Sequence, residues 1–97
     1  MGKYSVVFGQ KIRGDLSSHA AFIARVSLPA ARKFYNEFAA TIKRLSENPY
    51  MFPICDDSVL PEGIYRRALF GKWYKIYYYI EDTTVYIDAV VYGRRNS

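Results

Sequence analysis

The sequence predicts an α+β domain in which two helices form an antiparallel hairpin on one face of a small antiparallel sheet. Two observations predict this fold class. Apolar residues recur at intervals of three and four across residues 12–45, which is helical spacing. Residues 63–92 form strand-like segments with period-two alternation, separated by very short turns. Because a chain of 97 residues suffices for one core, we expect a single domain over residues 1–97.

The chain begins with a short strand and a first helix. Residues 3–8 are rich in β-branched and aromatic side chains, which favours a strand. Residues 10–26 have helical spacing, but Gly14 weakens the first turn. We therefore expect the regular helix to begin near Asp15 or Ser17, since either side chain could cap it.

The second helix has clear start and stop signals. Ser27 is a candidate N-cap, and Pro29 lies in the first turn, where its missing N–H costs nothing. Asn48 and Pro49 end the helix, because a proline disfavours helical geometry in the residue before it. Almost no loop separates the two helices, which predicts an antiparallel hairpin.

An irregular link over residues 48–62 leads to strands at about 63–70, 73–81 and 84–92. Strict alternation assigns their faces. In the last strand it places Val85, Ile87, Ala89 and Val91 on one face, and Tyr86, Asp88, Val90 and Tyr92 on the other. In the middle strand Tyr74, Ile76, Tyr78 and Ile80 oppose Trp73, Lys75, Tyr77 and Tyr79. We expect the aliphatic face to receive the helices and the face rich in Tyr, Lys and Arg to stay open.

The composition restricts the cellular compartment and the classes of binding partner that we expect. The formal net charge of +5 favours nucleic acid, an acidic protein or anionic lipid as a partner. Cys55 is the only cysteine, so an internal disulfide is excluded, and no apolar run approaches the roughly 20 residues of a membrane span. We expect a cytoplasmic protein without membrane association. With one histidine and one cysteine, the sequence predicts neither a metal site nor a cofactor.

The open face is the candidate binding site. Its predicted members are Lys75, Tyr77, Tyr79 and Tyr86, followed by Arg94 and Arg95 after the last strand, with Arg66 added if the register turns it outward. Such cations could converge on a phosphate or a carboxylate, and the tyrosines could stack on bases. The alternative is a solvated sheet face on which arginine stems cover tyrosine rings.

Three segments carry a resemblance to a known family. They are SENPYMFP at residues 46–53, IYRRALFGKWYKIYYYIED at 64–82 and VYIDAVVYGRR at 85–95. In this order, with a strand and two helices before them, they resemble the RelE/ParE superfamily of bacterial toxins. The resemblance covers nearly the whole chain and implies the fold described above.

The resemblance implies the toxin of a type II toxin–antitoxin module, of the kind also called plasmid stabilisation proteins. An acidic cognate antitoxin would hold it inactive in a hetero-oligomer. RelE-like members cut mRNA in the ribosomal A site, whereas ParE-like members have no nuclease site and poison DNA gyrase. A non-toxic binding module derived from the same fold is a further alternative.

The resemblance also assigns residues. Arg66 matches a basic residue on the first hairpin strand of the nucleases, Lys75 their phosphate-binding arginine, and Arg95 an arginine after the last strand. Tyr92 stands where a histidine is usual, and Ala68 where a second basic residue would be.

Because RNA cleavage needs a general acid and a general base, these departures favour ParE-like gyrase inhibition. Whether the protein is an enzyme stays open at this point. A nuclease would use Arg66, Lys75, Arg95 and Tyr92, with Arg94 beside them. A gyrase inhibitor would instead use a helix surface such as that around Arg25, Arg32 and Lys33.

Overall fold

A computed structural model of the chain describes residues 3–55 and 63–93. Its elements are β1 (Ser5–Phe8), α1 (Ile12–Ala24), α2 (Leu28–Glu47), a short 3₁₀ turn (Pro49–Met51), β2 (Arg66–Phe70), β3 (Tyr74–Glu81) and β4 (Thr84–Tyr92). This order confirms the predicted α+β class, with two helices between the first strand and the last three.

The four strands form one sheet in the order β1-β4-β3-β2. The pairs β2–β3 and β3–β4 are antiparallel, as predicted from their short connections. The first strand adds to β4 in parallel, with Ser5 opposite Thr84, so the sheet is mixed. A parallel pair needs a crossover, and here the whole helical hairpin with β2 and β3 supplies it.

The helix α1 begins earlier than the sequence predicts. Its first residue is Ile12, and Lys11 in the N-cap position makes no side-chain capping bond. The expectation of a start near Asp15 or Ser17 was wrong because tertiary burial outweighs the missing cap. The Ile12 side chain is only 2% exposed in the core, whereas Gly14 faces open space.

The helix α2 begins and ends where the sequence predicts. The Ala30 N–H donates to Ser27 Oγ at 3.2 Å, and Pro29 lies in the first turn. The last helical residue is Glu47, with Asn48 as its C-cap. Among the described residues, no helix combines the length and apolar character that crossing a membrane requires.

The core lies between the helical hairpin and one face of the sheet. The helix α1 packs against α2 and β4, and α2 packs against β1 and β2. The largest buried side chains are Phe34, Phe38, Leu45, Phe70, Ile76, Tyr78, Val85, Ile87 and Val90. This confirms that one sheet face receives the helices.

A β-bulge in β4 overturns part of the predicted face assignment. Tyr78 pairs with Ile87 and Tyr77 with Ala89, so Asp88 is an extra residue between them. The alternation therefore shifts by one residue after Asp88. As a result Val90 is buried, whereas Ala89 lies beside Tyr77 on the opposite face. The prediction was wrong for residues 89–92 because it assumed an uninterrupted strand.

Candidate functional site

The open face of the sheet, on the side away from the helices, is defined by Tyr65, Arg67, Lys75, Tyr77, Tyr79 and Tyr86. These side chains are half-buried and alternate with core residues along the strands. Arg67 pairs with Tyr77, and Leu69 pairs with Lys75. The two cations Arg67 and Lys75 are therefore diagonal neighbours on adjacent strands, with Cα atoms about 7–8 Å apart. The open face thus presents a positive centre next to a row of tyrosines.

The tyrosine row consists of three rings that pack on each other. Tyr79 and Tyr86 are stacked with centroids 5.0 Å apart and an interplanar angle of 17°. Tyr65 meets Tyr79 edge-on at 5.4 Å. Because the faces of Tyr79 and Tyr86 cover each other, the row offers ring edges and hydroxyls rather than an open stacking platform.

The hydroxyl of Tyr65 is held by the bulge residue. Tyr65 Oη donates to Asp88 Oδ2 at 3.0 Å. Burial raises the pKa of Tyr65, and the hydrogen bond to the Asp88 carboxylate raises that pKa further. Tyr65 therefore stays protonated at neutral pH and acts there as a hydrogen-bond donor.

Arg66 does not lie on the open face. The register pairs it with Tyr78, which is fully buried on the helix side of the sheet, so Arg66 points the same way. The outward placement considered for Arg66 is therefore wrong, and the neighbouring Arg67 takes that place. Adjacent arginines occupy opposite faces of a strand, so a register error of one residue exchanges them.

Arg66 instead anchors the segment that follows α2. Arg66 Nη1 donates to the Phe52 carbonyl oxygen at 2.6 Å, and its guanidinium lies 5.0 Å from the centroid of the Tyr50 ring. Beside it, Tyr78 Oη donates to the Pro49 carbonyl oxygen at 2.6 Å. Burial raises the pKa of Tyr78, and the nearby Arg66 charge opposes that rise only partly.

The other predicted site residues divide into two groups. Lys75, Tyr77, Tyr79 and Tyr86 lie on the open face, in the positions predicted. Lys75 Nζ lies near the end of β4, since a Cβ atom on Gly93 would be 3.3 Å from it. Arg94 and Arg95 lie outside the described residues.

Tyr92 is displaced to the helix side by the bulge. It pairs with Tyr74, and the two rings meet edge-on at 5.4 Å. The predicted grouping of Tyr92 with Tyr86 on one face is therefore wrong. Within the described residues, Tyr92 and Lys75 lie on opposite faces of the sheet.

Neither Tyr65 nor Arg67 is a candidate on sequence grounds, yet both lie on the open face. The alternation from Tyr65 to Phe70 can be assigned to the two faces of the sheet in two ways. Both assignments place an apolar residue on each face. The signal that selects between them is the small Ala68, which is completely buried opposite Ile76. A residue so small fits most easily beneath packed helices.

The only histidine lies on the helix side. His19 Nε2 donates to the Val90 carbonyl oxygen at 3.0 Å and joins α1 to β4. Its ring also packs edge-on against Tyr74 at 5.2 Å. His19 is therefore a structural residue that is separated from Lys75 and Arg67 by the sheet. The described residues contain no group of three His, Cys, Asp or Glu side chains that could hold a metal ion.

The turn between the helices carries an exposed apolar patch, the elbow patch, formed by Phe22, Val26 and Leu28. Their side chains are 67%, 90% and 62% exposed. Arg25 and Arg32 lie on the same segment of the hairpin and are exposed as well. Apolar side chains exposed this fully, with charged neighbours, are typical of a protein interaction surface.

A second apolar surface lies between the hairpin and the first strand. This groove has a volume of about 280 Å³ and is lined by Phe8 of β1, Ile12, Arg13, Leu16 and Ser17 of α1, and Tyr35 and Phe38 of α2. Phe8 and Tyr35 are 47% and 43% exposed at its rim. Its shape and lining suit an apolar face of a partner helix.

Comparisons with known proteins agree with this fold. A family described as the ParE toxin of the type II toxin–antitoxin system parDE matches residues 6–97. A solved structure titled as the chromosomal ParDE TA system from P. aeruginosa superposes with a TM-score of 0.74. It shares 13% sequence identity, and the match covers 94% of this chain and 97% of that one. Comparison with curated proteins finds no significant match.

Proposed function

The chain belongs to the ParE toxin family of type II toxin–antitoxin systems, and from this we propose that it inhibits DNA gyrase and is neutralised by a cognate antitoxin. Gyrase inhibition and neutralisation by the antitoxin would both take place in the cytoplasm, where gyrase works. Gyrase inhibition requires a binding surface and no proton transfer by the toxin, in keeping with the side chains available on the open face.

The observation that carries this proposal is the chemistry of the open face. RNA cleavage through the 2′-hydroxyl needs a base near the scissile phosphate and an acid for the leaving oxygen. Within the described residues the open face carries the cations Arg67 and Lys75, and its carboxylate Asp88 accepts a hydrogen bond from Tyr65. A further carboxylate, Glu81, lies at the far end of β3, about 20 Å along the strand from Lys75. Tyr65 has a raised pKa and is protonated at neutral pH, where it cannot act as a base, and His19 lies on the other side of the sheet.

We assign recognition of gyrase to the exposed side of the helical hairpin. The elbow patch combines apolar side chains with Arg25 and Arg32, and Lys33 follows on α2. An aromatic and aliphatic centre with arginines at its rim is the usual composition of a protein interface.

We assign antitoxin binding to the groove between β1 and the hairpin, which would accept an amphipathic helix of an acidic antitoxin. Arg13 at its border would pair with a carboxylate of that helix. The complex would be a toxin–antitoxin hetero-oligomer. A Leu16→Glu variant should lose antitoxin binding in co-purification, while Ser18→Glu, exposed on the same helix, should keep it.

The runner-up function is ribosome-dependent cleavage of mRNA. The observation in its favour is the pair of cations Arg67 and Lys75 beside tyrosine hydroxyls, which could hold an RNA phosphate. In this version Arg67 takes the role that the resemblance gives to Arg66, and Arg95 keeps the role assigned above. Tyr92 lies on the opposite face of the sheet from Lys75 and has no part in this site. A non-toxic binding module is the third possibility.

Two assays on the full chain separate these functions. In a supercoiling reaction with purified gyrase, we expect the protein to block supercoiling and to leave cleaved DNA. In a cell-free translation reaction with a defined mRNA, we expect no new RNA 5′ ends. New 5′ ends within translated codons, absent from an Arg67→Ala, Lys75→Ala double variant, would establish the nuclease instead. Inactivity in both assays, without growth inhibition in cells, would leave the binding module.

A further inference from the structure

A second cleft, separate from the open face and from the groove, lies between α2 and the turn that joins β2 to β3. Its volume is about 650 Å³, and Ile23 of α1 closes one end. Clefts that hold small molecules typically measure roughly 300–1,000 Å³ and combine apolar walls with a few polar groups. The cleft meets both conditions, and of the residues that line it only Lys33 also belongs to the surface assigned to gyrase recognition.

One wall of the cleft is aromatic and firmly supported. Trp73 and Tyr74 line it. The Tyr74 ring stacks on Phe70 at 5.5 Å and meets Phe34 edge-on at 4.8 Å. On its far side it touches His19, which is itself bonded to the sheet. These contacts fix Tyr74, so its part of the wall needs little ordering when a ligand binds, and Trp73 lies next to it along the chain.

The polar groups of the cleft come from two different elements. Lys33 lies on α2 and Lys72 on the turn, and both are exposed. Glu37 stands one helical turn beyond Lys33, and a Cβ atom on Gly71 would be 3.2 Å from its Oε1. The cleft therefore presents two ammonium groups, which suit a phosphate, and one carboxylate that can accept hydrogen bonds.

We propose that this cleft binds a nucleoside 5′-phosphate. The base lies against Trp73 and Tyr74, Lys33 and Lys72 hold the phosphate, and Glu37 accepts hydrogen bonds from the base edge. Guanine is the preferred base, because its Watson–Crick edge places two N–H donors side by side for one carboxylate. The nucleotide is either free or the 5′ end of a nucleic acid strand, since both present the same chemistry.

An acidic peptide fits the same cleft less well. Its carboxylates would pair with Lys33 and Lys72 but would also meet the like charge of Glu37. A guanine base instead brings donors to that carboxylate. The proposal is independent of the target of the toxin, because neither gyrase nor the ribosome enters it.

Trp73 is the only tryptophan of the chain, so its fluorescence reports on this cleft alone. The full-length protein is titrated with guanosine, adenosine and cytidine 5′-monophosphates, with guanosine and with inorganic phosphate. Excitation at the red edge of the indole band avoids absorption by the nucleotides. We expect saturable quenching by the three nucleotides, tightest for guanosine 5′-monophosphate, at concentrations up to about 10 mM. Binding should weaken with added salt.

Three variants test the assigned contacts. In Lys33→Ala, Lys72→Ala we expect nucleotide affinity to fall about tenfold or more, because both charge-assisted contacts are lost. Lys43→Ala, which removes an exposed lysine of α2 outside the cleft, should bind like the parent protein. Glu37→Gln should reduce the preference for guanine over adenine. Far-UV circular dichroism establishes that each variant is folded.

The proposal is overturned if no nucleotide quenches Trp73 saturably, or if the double lysine variant binds as well as Lys43→Ala. Inorganic phosphate that matches the nucleotides would also overturn it, as would an acidic peptide that quenches where nucleotides do not. A 5′-phosphorylated dinucleotide distinguishes the two sources. If the dinucleotide binds more tightly than the mononucleotide, the ligand of the cleft is the 5′ end of a strand. If it binds more weakly, the ligand is a free nucleotide.

Discussion

Tyr78 shows how one buried hydroxyl can fix the geometry around a site that it does not enter. Its ring is completely buried beneath the hairpin, and its hydroxyl bonds the Pro49 carbonyl just after α2. Arg66 bonds the next turn of the same segment through the Phe52 carbonyl. The contacts of Arg66 explain why a basic residue lies on the helix side of β2, where the other members of the strand are Ala68 and Phe70.

We predict that Tyr78→Phe lowers the free energy of unfolding by about 1–3 kcal/mol, because the Pro49 carbonyl would lose its buried partner. The ring and its packing are unchanged by this substitution. Urea denaturation measures the difference. Tyr35→Phe, at a residue that is 43% exposed, is the matched control and should change stability little. Equal losses in both variants would contradict the role assigned to the Tyr78 hydroxyl.

Alkaline pH should destabilise the fold through its buried tyrosines. Burial raises the pKa of Tyr78, Tyr74 and Tyr65 above the ordinary value of 10.0. Because the pKa of these tyrosines is higher in the folded state than in the unfolded state, they contribute their full stabilisation of the fold below pH 10.0. That contribution is lost as the pH rises through the pKa values of the folded state.

These tyrosines should therefore cause no pH dependence of the free energy of unfolding near neutral pH. Above about pH 10 they should cause it to fall. Denaturation curves at several pH values measure this. In Tyr78→Phe the alkaline decrease should be smaller, and an unchanged decrease would assign the effect to other groups.

At the scale of elements, the sequence predicts type and order better than register. Periodicity identified α2 with both of its ends, because Ser27 and Asn48 act locally. The start of α1 was misplaced because burial of Ile12, a tertiary effect, decides it. The bulge at Asp88 could not be predicted, since one extra residue in a strand leaves no periodic signal.

The same limit applies to the candidate site. Lys75 and the tyrosines of β3 were placed correctly by alternation alone. The choice between Arg66 and Arg67 depends on the pairing of β2 with β3, for which the small Ala68 is a weak local signal. Chemistry-bearing residue types are thus readable from the sequence, while their assignment to a face needs the three-dimensional pairing.

The bulge leads to a test by deletion. Removing Asp88 would leave Ile87 opposite Tyr78 and Ala89 opposite Tyr77, so every other side chain keeps its face. We predict a folded protein whose stability falls by no more than about 1–2 kcal/mol, mainly from the lost bond to Tyr65. Thermal unfolding followed by circular dichroism measures this loss.

Deletion of Tyr86 is the matched control for the deletion of Asp88. It also shortens β4 by one residue, but it would move Ile87 to the open face and Asp88 into the core beside Tyr78. We expect that variant not to fold. A deletion of Asp88 that unfolds as fully as this control would show that the bulge is required for the sheet.

At the scale of the whole molecule, we assign separate tasks to the surface of the helical hairpin and to the open face of the sheet. Helix and sheet surfaces face opposite directions, so gyrase inhibition and RNA cleavage would depend on different substitutions. We predict that Arg25→Glu, Arg32→Glu weakens gyrase inhibition at least about tenfold, because the two positive charges beside the elbow patch would be replaced by negative ones. The supercoiling assay measures the concentration for half-inhibition.

The control for this charge reversal is Lys11→Glu, Lys43→Glu. It changes the net charge by the same amount at exposed positions away from the elbow patch. This control should inhibit gyrase nearly as well as the parent protein. Equal losses in both double variants would indicate a general charge effect, and no loss in either would move the target surface away from the hairpin.

The parallel pairing of β1 with β4 gives the folding of this chain a fixed order in time. Ser5 leaves the ribosome well before its partner Thr84, because 78 residues lie between them in the sequence. Contacts so distant in sequence form late, since the intervening chain must first be closed into a loop. During synthesis the hairpin can form while β1 has no neighbour. The groove that includes Phe8 is therefore completed only after β4 has been synthesised, and an antitoxin that binds there as we propose would recognise the toxin only after that point.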